Sequence, residues 1–145
     1  MKKRQKPVVN RERFIYWLKK YHACREARIW VNRNRGTPRQ LWEKLDHDPD
    51  WLLWVYYHAG VDGNGQCTVR HKFSAVDDES QAFFDDACEA KAGIFDGTDE
   101  VKVGSLSKKF LDKLDAECCR IVRKRIRWTA VERLLKKHYR DDFMR

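Results

Sequence analysis

The amino-acid sequence predicts an all-α protein, a compact multi-helix bundle with at most one short β-hairpin-like insertion. Three observations support this fold class. The chain has 145 residues, which suits a single domain over residues 1–145. Apolar residues make up 42% and aromatic residues 12%, enough to build a hydrophobic core. Apolar side chains also recur at intervals of three and four residues behind separate helix-start signals, as in amphipathic helices.

Four short helices are expected in the first 60 residues. Three of them have clear start signals, at Asn10, Thr37-Pro38 and Asp48-Pro49. We expect Gly36 to end the second helix as its C-cap. Residues 51–57, in the fourth helix, are apolar on every side, which predicts a central position in the bundle.

The middle of the chain is the least helical part of the prediction. A turn signal at residues 62–65 precedes an alternating pattern over residues 67–73 that favours a short strand or an extended arm. Residues 62–74 and 95–104 are therefore predicted to be irregular connections. Between them we expect a helix from about Asp77, whose buried side is Phe83, Ala87, Ala90 and Ile94.

The longest predicted helix runs from Ser105. Its apolar stripe consists of Phe110, Leu111, Leu114, Cys118, Ile121 and Val122. Arg125 falls on the apolar side, so the helix bends or ends there, or this side chain extends outward to water. A capping-box pattern at residues 129–132 predicts a last short helix after Trp128.

The net charge of +9 hides a segregation along the chain. The net charge is +10 over residues 1–35, −8 over residues 36–104 and +7 over residues 105–145. This pattern indicates either one positive face or basic ends that fold back onto the acidic middle. The candidate nucleic-acid-binding residues are cations of a flexible basic arm over residues 1–9 and of the long helix, namely Lys2, Lys3, Arg4, Lys6, Lys109, Lys113, Arg120, Arg123, Lys124 and Arg127.

The five cysteines are odd in number and form no C-x-x-C pair, which argues against a secreted disulfide framework. No apolar run is long enough to cross a membrane, and no signal-like apolar segment follows the basic N-terminus. We therefore expect a cytoplasmic protein. Cys24 is interpreted as a core cysteine, and neither its pairing with His22 nor that of Cys67 with His71 has zinc-site spacing. We expect no metal and no cofactor.

Enzymatic motifs are nearly absent from the sequence. Glu100 and Lys102, preceded by Asp85, Asp86 or Asp96, resemble the acidic residues and E-x-K of metal-dependent nucleases. That arrangement needs a central sheet, so a Mg²⁺-dependent nuclease is a remote alternative. The sequence contains neither a G-x-S-x-G nucleophile motif nor a phosphate-binding G-K-[ST] loop. We therefore expect a protein that is not an enzyme.

The chain resembles small uncharacterised all-helical proteins of tailed phages in three segments. These are residues 23–27 (A-C-x-E-A), 38–42 (P-x-x-x-W) and 50–54 (D-W-x-L-W). Residues 119–128 are similar to the closing segment of those proteins. Pro49 here precedes Asp50 where Gly is more usual. The resemblance implies a phage or prophage origin and an all-helical fold, and it implies no activity.

The sequence thus predicts a phage-type accessory protein that binds nucleic acid or a nucleoprotein through a basic helical face. The alternative is a protein-binding inhibitor of host or defence machinery, or a virion component, on which the positive surface is incidental. Charge alone leaves the choice between DNA and RNA open, because both present the same phosphates.

Overall fold

The computed structural model describes residues 9–92 and 107–143, and within these residues the chain is helical almost throughout. One isolated antiparallel bridge, between Val61 and Cys67, is the β-structure found in this part of the chain. The predicted all-α bundle is therefore confirmed. Its helices are α1 (Arg11–Lys20), α2 (Arg25–Arg33), α3 (Pro38–Lys44), α4 (Pro49–Ala59), α5 (Arg70–Ala92), α6 (Lys108–Arg125), α7 (Trp128–His138) and α8 (Arg140–Phe143).

The three predicted helix starts are confirmed. The side chains of Asn10, Thr37 and Asp48 each accept a hydrogen bond from a backbone N–H in the first turn of the following helix, at 2.8, 3.2 and 3.1 Å. These bonds satisfy donors that have no partner within the helix. The predicted C-cap of α2 is wrong by two residues, because Asn34 holds that position and Gly36 follows it with φ +132°.

Helix α5 departs most from the prediction. It begins at Arg70, seven residues before Asp77, so residues 70–74 are helical and are not an irregular connection. With 23 residues it also exceeds the 18 of α6. Val9, assigned to the flexible arm, is 4% exposed and belongs to the core. The predicted arm residues 1–8 and the predicted connection 95–104 lie outside the described residues.

A closed turn before α5 explains its early start. The backbone N–H and the hydroxyl of Thr68 both donate to the carbonyl of Gly60, at 2.8 and 2.7 Å. This turn returns the chain to the end of α4 within eight residues, and no longer extended segment is required. Val69 and Phe73 are four residues apart and pack together against the core, so the apparent strand alternation is equally a helical spacing.

The buried side of α5 also differs from the expected one. Val76, Ser80 and Cys88 are buried, whereas Phe83 and Ala90 are exposed. The sequence has two adjacent phenylalanines at this point, and the second of them, Phe84, is the half-buried one. The predicted stripe is therefore wrong for Phe83 and Ala90, Ala87 is half-buried, and Ile94 lies outside the described residues.

Helix α4 lies at the centre of the bundle, as its uniformly apolar sequence predicts. It packs against α5, α6 and α7, and it buries Leu52, Leu53, Val55, Tyr56 and Ala59. The hydroxyl of Tyr139 donates to the carbonyl of His58 at 2.6 Å, which ties the C-terminal segment to the end of α4.

Helices α5 and α6 pack antiparallel along their length. Lys91 near the end of α5 lies over the ring of Phe110 near the start of α6. At the other end, Arg125 and Glu79 form an ion pair at 3.3 Å. Arg125 therefore lies at the seam between the two helices, with its side chain half exposed, which accounts for its place on the apolar side of α6.

The five cysteines are free thiols. Cys24 is exposed, because it lies at the N-cap position of α2, so the prediction of a core cysteine is wrong there. Cys118 and Cys119 are buried on α6, and burial raises the pKa of the Cys119 thiol to about 12. Among the described residues, no group of three or more His, Cys, Asp or Glu is placed to hold a metal ion. None of the described helices combines the length and the apolar character needed to span a membrane.

Candidate nucleic-acid interface

Helix α3 is fixed against the junction of α6 and α7 by two contacts. The indoles of Trp42 and Trp128 pack with their centroids 5.9 Å apart. The guanidinium of Arg123 donates to the carbonyl of Leu45, the C-cap residue of α3. A cation at this position also interacts favourably with the negative end of the helix dipole. Both contacts hold the exposed side of α3 beside the end of α6.

A groove of about 480 Å³ lies between these elements, and cations dominate its lining. Helix α6 contributes Arg120, Arg123 and Lys124, which are three and four residues apart and so share one face, and Arg127 follows as the N-cap of α7. Helix α3 contributes one cation and the groove's one carboxylate from its own exposed side. We call this groove the basic groove, and its lining residues are Arg39, Glu43, Arg120, Arg123, Lys124, Arg127, Trp128 and Thr129.

The five cations of the basic groove differ in what they already bind. Arg120 forms an ion pair with Glu117 on its own helix, and Arg123 is committed to the end of α3. Arg39, Lys124 and Arg127 have no carboxylate within 4 Å in the described part of the chain. These three exposed side chains are therefore available to an anion from solution.

The N-terminus of α7 opens at the same groove. Its N-cap is Arg127, which provides no side-chain cap. The predicted capping box is wrong because Thr129 lies within the helix, while Glu132 accepts a hydrogen bond from Trp128 Nε1 at 3.3 Å. An uncapped helix N-terminus beside cations adds backbone donors and a positive dipole end to a surface already suited to phosphate.

The structure brings together four of the ten predicted site residues, namely Arg120, Arg123, Lys124 and Arg127. Lys109 and Lys113 are exposed on α6 but do not line the basic groove. They lie near the other end of a helix that spans about 27 Å at ~1.5 Å per residue. Lys2, Lys3, Arg4 and Lys6 fall outside the described residues.

Sequence reasoning missed Arg39. It lies in the segment of net negative charge, so charge counting along the chain does not single it out. The available signal is its place opposite the buried stripe of α3, formed by Pro38, Leu41 and Trp42. That placement predicts exposure but does not show that α3 lies beside α6.

Most of the acidic middle of the chain lies elsewhere. Asp48 and Asp50 at the start of α4, Asp77 on α5 and Asp115 on α6 line a pocket of about 310 Å³, which we call the acidic cluster. Burial raises the pKa of Asp115, and the charge of Asp48 raises it further. Burial and the charge of Asp50 likewise raise the pKa of Asp77. The cluster therefore concentrates negative charge that the basic groove does not neutralise.

The nuclease alternative gains no support from the described residues. Asp85 and Asp86 are exposed on α5, and Glu100, Lys102 and Asp96 lie outside the described part.

No family model matches the chain, and searches of curated proteins and of solved structures find no match for it. Function must therefore follow from the geometry of the chain itself.

Proposed function

We propose that this protein binds nucleic acid through the basic groove, by contacts with the phosphate backbone. The observation that supports this best is the convergence of Arg39, Arg120, Lys124 and Arg127 from α3 and from the end of α6 onto one groove. Phosphate binding requires cations held in fixed positions, and three of these four have no carboxylate partner within the described residues.

The composition of the groove favours contact without base recognition. Its one aromatic residue, Trp128, is 3% exposed, so it offers no face on which a base can stack. Arg39 and Arg127 are exposed side chains that can adopt many rotamers. They are therefore not held in the fixed bidentate arrangement with which arginine recognises the edge of a base. Binding is therefore expected to vary little with sequence and strongly with salt.

Glu43 provides a test that does not depend on loss of function. Among the described residues that line the groove it is the one carboxylate, and it opposes the approach of phosphate. We expect Glu43→Gln to strengthen binding of a fluorescein-labelled 20-base-pair DNA about threefold at low salt in fluorescence anisotropy, since one repulsive charge is removed. Glu89→Gln, an exposed change on α5 away from the groove, is the matched control and should leave the affinity unchanged.

Unchanged affinity in Glu43→Gln, or an equal gain in Glu89→Gln, would show that the groove is not the binding surface. The protein-binding alternative predicts a different result. In a pull-down from lysate, a partner protein retained after nuclease treatment supports it, whereas loss of all partners supports nucleic-acid binding. The predicted phage origin stays a prediction.

A further inference from the structure

A second concave site lies on the other side of Trp128. It is a cavity of about 420 Å³ between α2 and α4, with a floor from α1 and α3. Protein cores leave few voids larger than a water molecule, whereas small-molecule sites have volumes of a few hundred Å³. Its lining is mainly indole and aliphatic, and includes Leu18, Trp30, Leu41, Trp42, Trp51 and Trp54.

Helix α2 forms one wall of this cavity and is only lightly packed. Of its nine residues, Val31 alone is buried. Ala27 lies on the inner side of α2 and lines the cavity with a methyl group. The small side chain at this position leaves the cavity open beside Trp30, whose indole packs against Trp51 of α4 with the ring centroids 6.3 Å apart.

The mouth of the cavity carries negative charge. Asp48 and Asp50 line it, and no Lys or Arg nitrogen in the described residues lies within 4 Å of either carboxylate. Asp50 also faces the acidic cluster, where Asp77 and Asp115 approach from α5 and α6. Burial and then the charge of Asp50 raise the pKa of Asp48, while the hydrogen bond from the Asp50 N–H and the charge of His47 act against that rise.

We propose that this cavity binds a small organic cation, with an apolar body among Trp30, Trp51 and Trp54 and an ammonium group beside Asp48 and Asp50. Burial of the body against indole and aliphatic carbon provides a hydrophobic driving force. The ammonium is stabilised by the carboxylates and by the electron-rich faces of the tryptophans. A carboxylate in the same position would meet like charge, so the site discriminates by charge.

Three compounds with one apolar body test this proposal: 4-phenylbutylamine, 4-phenylbutan-1-ol and 4-phenylbutyrate. Titration of the full chain, followed by tryptophan fluorescence and calorimetry at pH 7, should show saturable binding of the amine. The alcohol should bind about tenfold more weakly, as loss of one ion pair worth ~1.4 kcal/mol implies, and the carboxylate more weakly still. Equal affinities for the three compounds, or no saturable binding of the amine, would overturn the proposal.

Two variants locate the site. Asp50→Asn should lower the affinity for the amine toward that for the alcohol, because one of the two carboxylates beside the ammonium is lost, and it should leave the affinity for the alcohol unchanged. Asp85→Asn, exposed on α5, should change neither affinity. Ala27→Phe should abolish binding of both by filling the cavity. If Ala27→Phe does not fold, Asp50→Asn still tests the proposed site. A preference for the amine over the alcohol that is unchanged in Asp50→Asn would show that the amine does not bind beside this carboxylate. Nucleic-acid binding through the basic groove is measured separately and does not depend on this result.

Discussion

Replacing both Lys124 and Arg127 with glutamine should reduce the salt dependence of nucleic-acid binding by about half. If Arg39, Arg120, Lys124 and Arg127 each neutralise one phosphate, the log–log slope of affinity against salt is about −3.6 for duplex DNA, at ~0.9 per contact. Between about 50 and 200 mM salt the affinity then falls about 150-fold. With two contacts removed, the slope is about −1.8 and the fall about 12-fold.

The control for this double variant is Lys109→Gln with Lys113→Gln, which removes the same amount of charge from exposed positions of α6 outside the basic groove. Fluorescence anisotropy titrations at four or more salt concentrations measure all the slopes. All four side chains are exposed, so the changes should cost less than about 0.5 kcal/mol of stability, which thermal melting checks. Equal slopes for the two double variants would refute a localised groove, because binding would then follow the total charge of α6.

Three further predictions concern stability and reactivity. Arg123→Gln should lower the free energy of unfolding by about 1.5 kcal/mol in urea titrations, because the carbonyl of Leu45 loses a charged donor, whereas Arg120→Gln should change it little. An undiminished stability in Arg123→Gln would show that this contact does not hold α3. Asp115→Asn should stabilise the protein at pH 7 by about 0.5 kcal/mol, discounted for solvent screening. Since folding raises the pKa of Asp115 above its ordinary 3.8, its ionisation opposes folding. The extra stability of Asp115→Asn should therefore be absent below pH 3.8 and grow as the pH rises through the raised pKa of Asp115. A gain in stability that does not change with pH would contradict this explanation. Finally, Cys24 should react with a thiol reagent at pH 8 in the folded protein. Cys119 is buried and its pKa is raised to about 12, so it should react only on unfolding. Mass mapping that finds Cys119 labelled first would contradict its burial.

Local signals predicted the helices better than they predicted the connections. Asn10, Thr37 and Asp48 act within four residues of themselves, so their capping roles can be read without knowledge of the rest of the chain. The start of α5 depends instead on a turn closed by Thr68 onto the end of α4. An alternating pattern over seven residues fits both a strand and a helix, and the tertiary contact decides between them.

The basic groove could be predicted only in part. The spacing of Arg120, Arg123 and Lys124 places them on one face of α6, and that part follows from periodicity alone, whereas Arg127 lies beyond the end of α6 as the N-cap of α7. Arg39 joins them because Trp42 packs on Trp128, a contact between residues 86 positions apart that no local pattern contains. Conversely, Lys109 and Lys113 carry the same charge on the same helix as Lys124, but they do not line the basic groove formed by the described residues.

Trp128 lines both the basic groove and the apolar cavity. A side chain packed this tightly cannot shift on one side without shifting on the other. If the proposed organic cation moves this ring when it binds, a phosphate chain bound in the basic groove would be affected as well. By thermodynamic linkage, the factor by which the organic cation changes the affinity for nucleic acid would equal the factor by which nucleic acid changes the affinity for the organic cation.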